Sequence, residues 1–455
     1  MHNRHLSRCS LEILCVSQNI VNVDETINIC YRRGIAVRTA VGLCLGGVGM
    51  REERYLTARQ AAGELGVSLA TLYAYVSRGL IRSEATERGG RSRRYRGEDV
   101  RKLKERKEQR QNPGKAVEGA LYWGTPVMES AITLISDGKL YYRGRDVLEI
   151  ASGSSIEEAA ALIWTGDPVS APEVFASESP AFSPRYESVR EGVAGLTPVE
   201  AFQVLLPLVA AEDLAAYDLR PTAVARTGAR ILRLMAGVAA GEEAAGESVA
   251  GTLQTGWTSR NPEAKSLFRS ALILSADHEL NVSTFTARCV ASSEATPYAA
   301  VTAGLAALQG AKHGGQTEIV EAFLREVEVS GDPRGAIAAR LKRGEGVPGF
   351  GHSLYPDGDP RGAELLRITA KACPGSPVVA LSDAVTKEAL NLVDEHPTLD
   401  FGLVTLARAL GLPPGAAIAL FAIGRTVGWV GHAIEQYEGD SLIRPRARYV
   451  GEPIG

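Results

Sequence analysis

The sequence predicts a mainly α-helical chain, with a small basic helix-turn-helix module ahead of a larger helical body. Three observations carry this. From Thr57 onward apolar residues recur at helical spacing, punctuated by Ser/Thr caps and glycine stops. Charge is split along the chain: residues 51–115 hold 17 Lys/Arg against 9 Asp/Glu, whereas 116–455 hold 28 against 41. A net charge of −3 therefore hides a basic module next to an acidic body. From Ala120 the chain is rich in Ala and Gly and reads as mostly helical, with 140–143 as a short strand or turn.

The 455 residues are 45% hydrophobic and 23% charged, enough to bury large cores over two to four domains. This excludes a wholly disordered chain, a collagen-like repeat and a disulfide-rich mini-protein. Cys9, Cys15, Cys30 and Cys44 fall in the first fifty residues, leaving Cys289 and Cys373 for the rest, a usage that fits a reducing cytoplasm. The most apolar stretch, 416–429, is interrupted by Arg425, which argues against a membrane span. Residues 1–49 have little periodicity, and their apolar patch carries Arg38 far from the start, unlike a signal peptide. They are expected to be a disordered extension or an over-long start, with Met50 opening the patterned sequence.

Thr57 caps a helix to about Leu65, and Gly66 ends it. Ser68 caps a second to about Arg78, stopped by Gly79. Residues 81–95 contain Glu87-Arg88-Gly89-Gly90-Arg91 and suit a hairpin or wing. A third helix follows over 98–109, with Val100 and Leu103 inward. The module spans 50–111, a linker 112–118 and the body 119–455. Turn-rich breaks fall at 166–185 and 344–360, and small residues between Ala291 and Ala311 allow close helix approach.

A short helix, a tight Gly turn and a second helix can place one helix in a DNA major groove. Leu56-Thr57-Ala58-Arg59-Gln60, Gly66-Val67-Ser68, Thr71-Leu72-Tyr73 and Arg93-Arg94-Tyr95 together resemble the MerR-type winged helix-turn-helix. The resemblance implies double-stranded DNA as a partner. Ser68, Thr71 and Tyr73 would face base edges, and Arg88, Arg91, Arg93 and Arg94 would meet phosphate. The competing reading is a protein-interaction module with a solvated basic face.

Three of the seven histidines stand in unusual settings within 75 residues. His278 lies between Asp277 and Glu279. His313 precedes Gly314-Gly315, and His352 follows Phe350-Gly351. No His-Glu-x-x-His or Cys-x-x-Cys pair supports a metal site, and no Gly-x-Ser-x-Gly elbow supports a serine hydrolase.

These histidine segments, together with Leu140-Tyr141-Tyr142-Arg143-Gly144-Arg145-Asp146, Asp359-Pro360-Arg361, Leu399-Asp400-Phe401, Gly424-Arg425-Thr426-Val427-Gly428-Trp429 and Ile443-Arg444-Pro445-Arg446, resemble citrate synthase over most of 119–455. The resemblance implies a mainly helical two-domain body, with a small domain at about 315–405 inserted in the large one. It implies condensation of acetyl-CoA or propionyl-CoA with oxaloacetate, the step that feeds the tricarboxylic acid cycle or makes 2-methylcitrate. The coenzyme A thioester would be a co-substrate, with no permanently bound cofactor.

By position in the family pattern, Asp400 would be the base, His313 the donor to the thioester oxygen, and His352 the group that polarises or protonates the ketone. His278, Arg361 and Arg425 would hold the oxoacid, and Arg444 would do so across a homodimer interface. Backbone at Val347, Gly349 and Gly351 would take the CoA adenine. The pattern is departed from at Lys312, Gln316 and Ser353. Two further readings are a DNA-binding regulator that senses metabolites through this body, and a citryl-CoA lyase-like enzyme. Asp400 as a helix cap and His278 as a structural residue are the competing local readings; His396 and His432 read as structural.

Overall fold

The computed structural model describes residues 55–77, 80–85, 93–97, 99–100, 103, 128–176, 183–241, 248–447 and 449–452. The expected extension (1–49), the linker (112–118) and Arg88 and Arg91 lie outside the described residues. The chain divides into two compact units between Met128 and Glu129.

In the first unit, β1 (Tyr55–Leu56) leads into α1 (Ala58–Leu65), then α2 (Leu69–Ser77), β2 (Ser83–Ala85) and β3 (Arg93–Arg96). Thr57 and Gln60 form a capping box on α1, and Gly66 closes it at φ 61°. Ser68 Oγ accepts from Thr71 N at 3.2 Å, as its role as a cap requires. Both strand pairs of the β1-β3-β2 sheet are antiparallel, with Ser83 opposite Tyr95. Leu56, Ala62, Leu65, Leu72, Ile81, Tyr95 and Val100 make the core, with Leu103 packed on it. Asp99 accepts from Arg82 N, Nε and Nη2 at 2.9–3.0 Å.

The second unit opens with a meander, β4 (Thr133–Ser136), β5 (Lys139–Tyr142) and β6 (Arg145–Asp146). Its first turn puts Asp137 and Gly138 at positive φ, as a two-residue hairpin of this twist demands. Helices follow: α3 (Val147–Gly153), α4 (Ile156–Thr165), α5 (Ala171–Val174), α6 (Pro184–Gly192), α7 (Pro198–Ala210), α8 (Pro221–Ala240), α9 (Val249–Thr258), α10 (Ala264–Ser275), α11 (Val282–Ala291) and α12 (Pro297–Leu308). The remainder are α13 (Gln316–Ser330), α14 (Pro333–Lys342), α15 (Pro360–Ala372), α16 (Pro377–Val393), α17 (Leu399–Ala409) and α18 (Ala416–Glu438). Within the turn-rich break predicted at 166–185, the described residues 166–176 are more helical than expected. Asp167 caps a 3₁₀ turn, and Pro168 and Pro172 preset φ for it and for α5.

α18 is the axle of the main core. It is long and apolar enough to cross a membrane, but here it is sheathed by α4, α8, α10, α11 and α12. A second core lies within α13, α14, α16 and α17, around Phe323, Ile337, Val385 and Phe401. α17 serves both: Leu399, Leu403 and Leu406 enter the main core, whereas Phe401 and Val404 enter the second. This helix, and Asp400 on it, therefore sits where the two cores meet.

Close helix packing rests on small residues. At Gly304 an added Cβ would lie 2.6–3.0 Å from the Trp429 ring. Gly304→Ala is expected to cost about 1–3 kcal/mol by overpacking, seen as a lower melting temperature. Gly153→Ala, where a Cβ meets nothing within 4 Å, should be neutral or gain up to about 1 kcal/mol. Equal melting temperatures for the two variants would remove this account of the core.

Candidate active site

Three turns and two helix starts build the site. His278 follows α10 in the turn 276–281, where Glu279 adopts φ 52°. Asn281 caps α11 and also accepts from Ser283 Oγ at 2.7 Å. Ser283 Oγ in turn lies 2.8 Å from His313 Nε2 and accepts from Trp429 Nε1 at 3.2 Å. His313 stands in the turn between α12 and α13. Gly314 and Gly315 make that turn possible, since a Cβ on either would come within 2.8 Å of the preceding turn. His352 is carried by the loop between α14 and α15, and Leu354 N donates to its Nδ1 at 3.2 Å. A neutral ring that accepts at Nδ1 carries its proton on Nε2.

The rings of His278 and His352 are 5.2 Å apart. Tyr355, which the sequence reading did not single out, packs against both. Its hydroxyl is 3.0 Å from His278 Nε2, and its ring is 5.0 Å from that of His352. The Arg361 guanidinium lies 5.5 Å from the same ring. Phe421 links the other members, edge-on to His313 at 5.9 Å and 4.9 Å from the Arg425 guanidinium. The structure thus brings His278, His313, His352, Arg361 and Arg425 into one cluster, with Asp400 near enough to feel both arginines.

The two arginines are in different states. Arg361 donates Nε and Nη2 to Asp359 at 2.9 Å each. Arg425, only 1% exposed, gives Nε to the Ser275 carbonyl at 2.8 Å. Its two terminal nitrogens have no acceptor among the described residues. Burial lowers its pKa to about 10, against the opposing pull of Asp277. A buried guanidinium without a paired carboxylate is costly unless a ligand supplies the anion.

Asp400 is the second residue of α17, after Thr398, so it is not the helix cap that one local reading allowed. Its Oδ1 is sealed from solvent and has no hydrogen-bond partner among the described residues. Burial pushes its pKa up to about 6, although Arg361 opposes the shift. Burial also lowers His313 to about 4, and burial followed by Arg361 lowers both His278 and His352. All three imidazoles are therefore neutral near pH 7, beside a carboxylate that ionises unusually late.

In the segment 347–351 the glycines expected to let a ligand meet the backbone have protein on the side where a Cβ would stand. Gly349 (φ 79°) faces Val320 and Phe401, its carbonyl accepts from Thr398 N at 2.8 Å, and Gly351 (φ 77°) faces the Glu395 carboxylate. Val347 is buried. Beside them a cavity of ≈ 370 Å³ is lined by His352, Ser353, Asp359, Glu395 and His396 among others. Arg444 is exposed in the segment after α18. In the first unit, Tyr73 is 52% exposed on α2, and Arg93 and Arg94 are exposed on β3. Ser68 and Thr71 hydroxyls are 2.9 Å apart, capping the helix together.

Besides Tyr355, the sequence reading passed over Asp359, Ser283 and Asp277. Asp359 had a signal: an Asp-Pro pair at a helix start is a cap followed by its first residue. Ser283 and Asp277 had none, because their partners lie far along the chain.

Residues 121–446 match the family described as "Citrate synthase, C-terminal domain", and residues 55–108 match "Helix-turn-helix domain". A citrate synthase of Haloferax volcanii is 30% identical over 363 residues, covering 72% of this chain and 94% of the relative. A 2-methylcitrate synthase 2 of Corynebacterium glutamicum is 28% identical, covering 69% and 89%. The crystal structure of citrate synthase from Thermotoga maritima superposes with a TM-score of 0.61 at 28% identity, covering 72% and 94%. A helical body with this histidine–aspartate–arginine cluster, matched by the family over 121–446, belongs to the citrate synthase family and carries a helix-turn-helix domain ahead of it.

Proposed function

We propose that the body condenses an acyl-CoA, acetyl-CoA or propionyl-CoA, with oxaloacetate and water to give citrate or 2-methylcitrate and free CoA. The observation that carries this reading is Asp400, a sealed carboxyl oxygen with no partner and a raised pKa, set among neutral histidines and a buried unpaired arginine.

The α-proton of a thioester is too weakly acidic for a carboxylate acting alone. Asp400 takes that proton while His313 donates to the thioester oxygen, so charge develops against a fixed donor. This requires the Ser283 hydroxyl to turn its proton from Asn281 to His313 Nε2, so that the neutral ring carries its own proton on Nδ1, the nitrogen that donates. The resulting enol(ate) carbon attacks the ketone of oxaloacetate. His352, with its proton on Nε2, donates a hydrogen bond to the forming alkoxide, which takes up a proton from solvent. His278, Arg361 and Arg425 orient the oxoacid, and Arg444 of the partner subunit completes the site in a homodimer. Arginine suits this because its planar fork meets a carboxylate at two points. Hydrolysis of the citryl thioester then releases CoA and makes the turnover irreversible. We place the protein in the cytoplasm, with no permanently bound cofactor, and take residues 315–405 as a smaller domain that closes over the substrates.

CoA release from acetyl- and propionyl-CoA, each with oxaloacetate, tests the reading; no release from either overturns it. Asp400→Asn should lower kcat by about 10²–10⁴-fold with oxaloacetate binding kept. The rate should also fall about tenfold per pH unit below about pH 6, as Asp400 takes up a proton and ceases to act as base. A rate flat from pH 7 to pH 4.5 would exclude Asp400 from that role.

The helix-turn-helix unit favours a second, compatible reading: the chain also binds double-stranded DNA and acts as a regulator. α2 presents Tyr73, and Arg93 and Arg94 stand exposed on the adjacent sheet. Binding should weaken steeply with salt, and Arg94→Ala should reduce the slope of log K against log salt by about 1. No shift of any duplex at low salt would leave the unit as a protein-interaction module.

A further inference from the structure

Asp277 and His432 form a buried pair that the proposed chemistry does not use. Both side chains are 0% exposed, and His432 Nε2 lies 3.3 Å from Asp277 Oδ2. Because a carboxylate only accepts, the ring donates through Nε2. Thr133 Oγ1 on β4 donates to the same oxygen at 2.5 Å, while Oδ1 has no partner among the described residues. Keeping an ionised carboxylate in such a place is expensive unless its charge has a use.

The backbone is arranged to admit it. A Cβ at Gly424 would lie 2.5 Å from the Leu272 carbonyl oxygen, and one at Gly428 would lie 2.4 Å from Asp277 Oδ1. These two glycines, one turn apart on α18, let the end of α10 and the turn after it press against the helix. Arg425 and His432 lie two turns apart on that helix and flank the slot. The far end is braced: Arg288 Nη1 donates to Glu435 Oε2 at 3.3 Å, Glu435 Oε1 accepts from Ala131 N at 2.8 Å, and His432 Nδ1 is 3.7 Å from Glu435 Oε2.

Arg361 and Arg425 then differ in a useful way. The counter-ion of Arg361 spans its fork, whereas no carboxylate oxygen among the described residues lies within 4.0 Å of an Arg425 nitrogen. Asp277 is near enough to act on Arg425 electrostatically without occupying it. We propose that Asp277 is the fixed counter-ion of Arg425, and that His432 and Thr133 are positioning residues that hold it back from the fork. In this arrangement the trio sets how tightly an oxoacid carboxylate is bound. Without either donor, the carboxylate is free to swing onto Arg425 and compete with the ligand, or to take up a proton and leave the buried guanidinium uncompensated. The inference rests on reading Arg425 as a receiver of the oxoacid.

The test is calorimetric titration of the full chain with oxaloacetate alone, alongside KM and kcat. His432→Leu and Thr133→Val each remove one donor to Asp277. Both should weaken oxaloacetate binding about tenfold or more, the scale of a hydrogen bond to a charged group. His432→Gln, which restores an N–H at similar reach, should stay within about threefold of the natural chain. KM for the acyl-CoA should not follow. A merely structural pair would lower the melting temperature or the active fraction and leave oxaloacetate affinity alone. If His432→Leu does not fold, Thr133→Val decides by itself. Natural-chain affinity in the folded variants overturns this inference only; a natural chain that does not bind oxaloacetate overturns the Arg425 reading and this inference with it.

Discussion

The site depends on one buried carboxylate. Asp359 accepts four hydrogen bonds: from Arg361 N and Nε on one oxygen, and from Arg361 Nη2 and Leu399 N on the other. It caps α15, satisfies an orphan N–H at the start of α17, and locks the Arg361 fork. Leu399 directly precedes Asp400, so the same carboxylate that sets Arg361 also sets the base. Burial works against its charge, but Arg361 outweighs burial and holds the carboxyl below the ordinary range. Removing it would strand a buried guanidinium and two helix N-termini together.

Desolvation is the site's second resource. The same burial that raises Asp400 lowers His278, His313 and His352, so one environment produces a stronger base and neutral donors at once. Neutral histidines suit hydrogen-bond donation to oxygen because they need not lose a charge to reset. In so dry a place every ionic group must be answered by a partner or a ligand. Asp359 answers Arg361; Asp277 acts on Arg425 from a distance; the terminal nitrogens of Arg425 are left for something that arrives.

Much of this was legible in the sequence, for reasons that differ by residue. His313 and His352 announced themselves through the glycines beside them, and the caps at Thr57 and Ser68 through local chemistry that needs only neighbours. The charge split along the chain needs no structure to read, because packing does not alter it. What stayed hidden were pairings across long separations: His432 with Asp277, Trp429 with Ser283, Tyr142 with the backbone after α10. The glycines at 349 and 351 mark close approach without saying what approaches; on the Cβ side it is Phe401, Val320 and Glu395. Tyr355 was missed because nothing in its own neighbourhood distinguishes a tyrosine that reaches His278 from one that fills a loop.

The double allegiance of α17 constrains how the site can open. Its Leu399–Leu403–Leu406 face belongs to the main core and its Phe401–Val404 face to the second. Relative movement of the cores must therefore be absorbed along this helix or at its ends. α15 is tied to the start of α17 through Asp359, so Arg361 and Asp400 travel together. His278 and Arg425 are fixed instead to α10 and α18, deep in the main core. Arg361 sits on α15, which sends Leu365 into the main core, and the Tyr355–His278 hydrogen bond ties the loop before α15 to the turn after α10. An oxoacid that engages Arg361 and Arg425 at once would bridge α15 and α18, and because Asp359 ties α15 to the start of α17, the ligand would be held on the same frame that fixes Asp400.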